Sequence, residues 1–147
     1  MKIKAVQLTS SFYKKYNRKN YPEICRKPSR PYIMVQVKIN NIDFGVPLRS
    51  NINHPHAFIT DKLNNCGLDY SKAVIIKDSN YISAITPTIR QNEWDLIKVS
   101  GYRIKKGLEN YIHSYKKALK KSHIRKNQLL IQFSTLKYFH SDLNIDS

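Results

Sequence analysis

Four side chains able to handle a phosphate group and its protons crowd into Pro47 to Thr60 (PLRSNINHPHAFIT): Arg49, Ser50, His54 and His56. An imidazole changes charge near neutral pH and can take or give a proton. A guanidinium keeps its charge and grips phosphate oxygens two at a time. A serine hydroxyl can donate to a non-bridging oxygen. These groups suit attack of an RNA 2′-hydroxyl on its own phosphorus. That reaction needs a base, a cation for the developing charge and an acid for the leaving oxygen. Other roles are open to the same residues, since His54 precedes Pro55 and Ser50-Asn51 is ordinary turn composition. His54 and His56 also have the spacing that puts two zinc ligands on one face of a strand. A third ligand would have to be Asp61, Cys66 or His113, and nothing in the spacing selects one, so no metal is expected. Glu93 and Asp95 do not resemble a two-metal nuclease site.

The elements around this stretch follow from periodicity. Lys2 to Leu8 alternates as a strand does, and Thr9 is placed to cap a short helix over Ser10 to Asn17. Tyr32 to Ile39 and Phe44 to Leu48 are β-rich runs separated by Asn40-Asn41, a hairpin signal. His56 to Thr60 and Ala73 to Ile76 read as further strands, joined by a polar Asp61 to Asp69 loop. Beyond Pro87 the period lengthens to about 3.6 residues. Helices are expected over Asn92 to Val99, from near Gly107 to about Ser122, and over Leu129 to Phe139. Leu108, Tyr111, Ile112, Tyr115 and Leu119 share one face of the second, a stripe that reads as core rather than a base-stacking platform. Strands followed by helices imply a single α+β domain over residues 1–147. Its expected form is a compact, twisted antiparallel sheet or barrel covered by helices, with a helical C-terminal half.

The chain has 147 residues, 26 of them Lys or Arg against 10 Asp or Glu, for a net charge of +16. Met1 to Asn40 and Ser100 to Tyr138 each carry a net +9, whereas Asn41 to Val99 is neutral. Two basic arms therefore flank the neutral stretch that holds the candidate chemistry, the distribution expected of a protein with a polyanionic partner. With 41% hydrophobic and 11% aromatic residues the chain is too apolar for a disordered tail. Its four glycines, Gly45, Gly67, Gly101 and Gly107, exclude Rossmann and P-loop phosphate cradles. No run is long enough for a membrane span, the Met1 end lacks a signal-peptide core, and Cys25 and Cys66 make no CxxC motif. A cytoplasmic location is expected.

Several blocks resemble one family. Arg30-Pro31-Tyr32-Ile33, the Pro47 to Thr60 stretch, Gly67 to Asp78 (GLDYSKAVIIKD) and Ser134 to His140 (STLKYFH) are similar, in order and spacing, to the TenpN toxins. These are the protein halves of type III toxin–antitoxin systems and relatives of ToxN, CptN and AbiQ. The resemblance implies a MazF/Kid-like fold and a metal-independent, sequence-preferring endoribonuclease that needs no cofactor and leaves 2′,3′-cyclic phosphate and 5′-hydroxyl ends. It implies as partners a target mRNA and a repeated, pseudoknot-forming antitoxin RNA that the toxin both processes and is inhibited by, in a toxin–RNA assembly. Pro47-Leu48-x-Ser50 matches the PLTS-type motif of the wider superfamily, so Ser50 takes the active-site serine's place. Arg49 stands where ToxN-like chains carry Thr, and no Lys follows at the expected distance.

The expected division of labour follows. Arg49 and Ser50 grip the scissile phosphate, His54 moves a proton, Lys72 is a second candidate cation, and His56 orients substrate or packs. Lys14, Lys15, Arg30, Lys105, Lys106 and Lys116 align single-stranded RNA, and Tyr32 is placed to stack on an unpaired base. Binding should weaken with salt, with a log–log slope of about −0.7 per phosphate engaged. A non-catalytic RNA- or DNA-binding module accounts for the charge equally well but has no need of the Arg49, Ser50 and His54 cluster.

Overall fold

A computed structural model describes residues 3–27 and 31–145. Six strands form one antiparallel sheet: β1 (Lys4–Gln7), β2 (Ile33–Ile39), β3 (Ile42–Arg49), β4 (Ala57–Asp61), β5 (Cys66–Asp69) and β6 (Val74–Ile75). The order is β1-β2-β3-β5-β4, with β6 paired to the first half of β3. The sheet stays open instead of closing into a barrel. Asn40 and Asn41 both have positive φ (50° and 65°) between the paired residues Ile39 and Ile42. That conformation is the two-residue turn whose twist matches the flanking strands, which is why two asparagines stand there.

The polar loop expected over Asp61 to Asp69 is a loop only in part, because its last four residues are β5, all buried between β3 and β4. Cys-Gly-Leu-Asp carries almost no strand signal, since Gly and Asp are poor strand formers. Gly67 is there for another reason. A Cβ at this position would lie 2.3 Å from the Phe58 carbonyl oxygen, at the irregular pairing between β4 and β5. Only glycine lets the two backbones come so close.

Helix α1 (Ser10–Lys15) follows β1. Thr9 makes no side-chain cap; its hydroxyl donates instead to the Asn80 carbonyl at 2.9 Å, tying the start of α1 to the Ser79–Tyr81 turn. The later helices are α2 (Gln91–Val99), α3 (Gly101–Lys120) and α4 (Arg125–Phe133). Helix α3 begins six residues before Gly107. That glycine sits mid-helix because Tyr70 packs against it: a Cβ there would meet the Tyr70 hydroxyl at 2.3 Å. The helix expected through Phe139 breaks at Ser134, whose backbone is extended (φ −85°, ψ 136°). The buried Ser134 hydroxyl accepts from the Tyr111 hydroxyl (2.7 Å) and from the Leu136 amide, starting a separate 3₁₀ turn over Thr135–Tyr138. Buried side chains from Ile3 to Leu143 make one contiguous core, in which Leu108, Tyr111 and Tyr115 of α3 are fully enclosed. Among the described residues no helix is long and apolar enough to cross a membrane.

Candidate active site

The site is organised by Asp69, the last residue of β5. Antiparallel pairing sets Arg49 opposite Gly67 and Leu48 opposite Leu68, so Arg49 and Asp69 lie diagonally on one face. Arg49 Nη1 donates to Asp69 Oδ2 at 2.6 Å. His54 Nε2 reaches both carboxylate oxygens, at 3.2 and 3.3 Å. The Ser71 hydroxyl and amide donate to Oδ1 at 2.6 and 2.9 Å. Burial opposes ionisation of Asp69, but the donors from His54, Ser71 and Arg49 outweigh it and hold the carboxyl down at about 2. Asp69 is wholly buried while the Arg49 side chain remains 31% exposed. The anion therefore lies beneath the surface and presents a fixed guanidinium to solvent.

The hydrogen bonds also define the histidines. The His56 amide donates to His54 Nδ1 at 3.1 Å, so that nitrogen is an acceptor and the ring proton must be on Nε2, facing Asp69. Both ring nitrogens of His54 are thereby engaged. The His56 ring lies 5.7 Å from that of His54 and edge-on to Tyr111 at 5.3 Å. Burial, helped by the neighbouring His54 and opposed by Asp69, pushes the His56 pKa below its usual value. Its imidazole is neutral at pH 7.

A groove of about 450 Å³ opens at Arg49, walled by Arg18, Arg26, Tyr32 and Lys72, with Glu23 and Cys25 between them. Lys27 lies over the Tyr32 ring at 4.6 Å. Burial raises the Cys25 pKa, with Arg49 pulling the other way, so the group is a neutral thiol at pH 7. A neighbouring pocket lined by Lys14 and Lys27 shares Arg26 with this groove, which gathers part of the N-terminal basic arm at the site.

The structure brings together Arg49, His54 and His56 and adds Asp69 and Ser71. Ser50 is exposed at the end of β3 and makes no hydrogen bond to the cluster among the described residues. The hydroxyl on the Asp69 carboxylate is that of Ser71. Lys72 lines the groove, but its ammonium is held by Glu23 (2.8 Å) and the Phe133 carbonyl (2.7 Å). Lys15 and Lys106 are exposed; Lys105 and Lys116 are half-buried and line neither the Arg49 groove nor the pocket beside it. Arg30 lies outside the described residues. No three His, Cys, Asp or Glu side chains gather as metal ligands among the described residues. Asp69 and Ser71 are not legible as site residues in the sequence, because Cys66–Asp69 carries little strand signal. The one signal available was Asp69-x-Ser71, an Asx-type turn that the structure uses to start the Tyr70–Lys72 turn.

No protein-family model and no curated protein matches the chain. Two solved structures do match its backbone. One is the toxin, ToxN, of a bacterial type III toxin–antitoxin system, selectively inhibited by a non-coding RNA pseudoknot. It is 15% identical, with a TM-score of 0.63 over 98% of this chain and 99% of its own. The fold is that of ToxN. The other is AbiQ, a lactococcal anti-phage endoribonuclease of the type III class, 16% identical, with a TM-score of 0.61 over 91% of this chain and 90% of its own.

Proposed function

We propose that residues 1–147 form an endoribonuclease toxin of the type III toxin–antitoxin class, held inactive by a folded RNA. The observation that carries this reading is the buried Asp69 carboxylate, which holds both Arg49 and His54, with Arg49 opening onto a groove walled by cations. The shared fold with ToxN and AbiQ supports the substrate class.

In this reading an RNA strand lies along the groove with one phosphate at Arg49. One guanidinium N–H is committed to Asp69, leaving the rest to stabilise charge on the phosphorane. The neutral His56 imidazole takes the proton of the 2′-hydroxyl, whose oxygen bonds to phosphorus. The P–O5′ bond then breaks, and the 5′-oxygen keeps the electron pair and takes a proton from water, whose hydroxide is neutralised by the proton that His56 gives back. The products are a 2′,3′-cyclic phosphate and a 5′-hydroxyl. His54, with both nitrogens occupied, positions the His56 backbone and Asp69; the proton transfer expected of His54 passes to its neighbour. Tyr32 stacks on a base beside Arg49. The base and the cation are groups of this chain and the acid is water, so the scheme requires no metal. An antitoxin RNA inhibits by occupying the same groove, and cytoplasmic RNA is the target.

The test is cleavage of cellular RNA by purified protein, with fragment ends mapped. The expected outcome is 5′-hydroxyl and cyclic-phosphate ends, activity unchanged by EDTA, and a fall of about 10²–10³-fold in Arg49→Ala. Loss of activity in EDTA, 5′-phosphate ends, or undiminished cutting by Arg49→Ala would each overturn the mechanism.

A further inference from the structure

We propose that the groove between α3 and α4 is a second RNA subsite, holding the sugar–phosphate backbone beyond the scissile linkage without reading bases. The inference rests on the assignment of RNA as the substrate. The groove measures about 670 Å³, and its rim carries Lys117 and Lys120 from α3, Lys121 just after it and Lys126 from α4. No carboxylate lines it, and none of these four lysines takes part in an ion pair among the described residues. Lys117 stands three and four residues from Lys120 and Lys121, the spacing at which like charges on a helix surface repel. A polyanion laid along the groove relieves that repulsion and releases its own counterions.

Two features say what kind of polyanion and how it runs. His56 lines this groove and its ring lies 5.7 Å from that of His54 in the catalytic cluster, so a bound chain passes directly from one to the other. The lining otherwise includes the aliphatic Ala118 and Leu130, and no Phe, Tyr or Trp belongs to it. Away from His56, bases therefore find no ring to stack on, in contrast with the Arg49 groove, where Tyr32 stands. Ammonium groups are point charges that accept a phosphate from many directions, unlike the planar fork of Arg49. The two grooves thus divide the work: the Arg49 side selects the sequence and the lysine side supplies grip.

The experiment measures binding of fully 2′-O-methylated RNA, which cannot be cut, across a range of salt. It compares wild type with Lys117→Gln/Lys120→Gln/Lys121→Gln/Lys126→Gln and with a control of equal charge change elsewhere, Lys4→Gln/Lys38→Gln/Lys62→Gln/Lys98→Gln. The groove variant should bind about tenfold or more weakly at 0.15 M salt. Its log–log slope should be shallower by about 0.7 for each phosphate that the variant no longer neutralises, equally for oligo-U and oligo-A. Binding indistinguishable from the control, or a weakening confined to one sequence, overturns the subsite. So does a groove variant that ceases to bind phosphatidylserine vesicles while its RNA affinity matches the control. Should wild type bind the RNA through these lysines yet cut no natural RNA, the catalytic reading fails and the subsite stands. Should cutting be normal and the groove variant match the control, the subsite alone fails.

Discussion

Replacing Asp69 by Asn tests the centre of the site. The change keeps the size and one acceptor, so the Ser71 donors remain satisfied. It removes the charge and turns an amide donor toward Arg49 Nη1 or His54 Nε2–H, groups that are themselves donors. The cost follows from the proton equilibrium. The carboxyl ionises at about 2 in the folded protein against an ordinary 3.8. A difference of that size is worth about 2–3 kcal/mol in favour of the folded, ionised state. Because the folded value is the lower one, this stabilisation is present in full above pH 3.8 and is lost as pH falls toward 2. Asp69→Asn should lower stability at pH 7 by about 2–3 kcal/mol, a drop in melting temperature of about 5–10 °C for a chain of this size. Urea denaturation at fixed pH, with unchanged m-value, gives the first number; repeating it from pH 5 to pH 2 gives the second. Wild type should lose more stability across that interval than the variant, and the two curves should converge at the acid end. A variant as stable as wild type at pH 7, or two parallel curves down to pH 2, would refute the view that Asp69 is a charged clamp.

Two other outcomes are expected. Cleavage rate should fall on the acid side with an inflection below 6.5, the usual histidine value, because His56 must be neutral to accept a proton and its pKa is lowered. His56→Ala should remove that limb with a loss of about 10²–10⁴-fold, and an inflection that persists in His56→Ala assigns the base elsewhere. Gly107→Ala, which on an exposed helix would stabilise by about 1 kcal/mol, should instead destabilise by about 1–3 kcal/mol as the new methyl meets Tyr70. Thermal melting decides the sign.

The sequence determined the class of this protein. Alternation in β1, the β-rich runs of β2 and β3 and the 3.6-residue stripe of α3 report which segments leave water, and burial of apolar area dominates folding whatever the neighbours are. The Asn40-Asn41 turn was legible because positive φ is a local demand met by few residue types. The placing of two basic arms around a neutral centre was legible too, since charge is additive along a chain. The tertiary structure alone decided which side chains meet. Arg49 and His54 meet through Asp69, 20 and 15 residues away, on a strand whose sequence has little strand character and which forms because β3 and β4 leave a place for it. Ser71, not Ser50, supplies the hydroxyl at the Asp69 carboxylate, and the Lys72 ammonium is held by Glu23. Lys117, Lys120, Lys121 and Lys126 share one groove because the chain turns between α3 and α4, which leaves Lys105, Lys106 and Lys116 outside it. Such pairings depend on long-range packing, and packing leaves no mark in the spacing of residues along the chain.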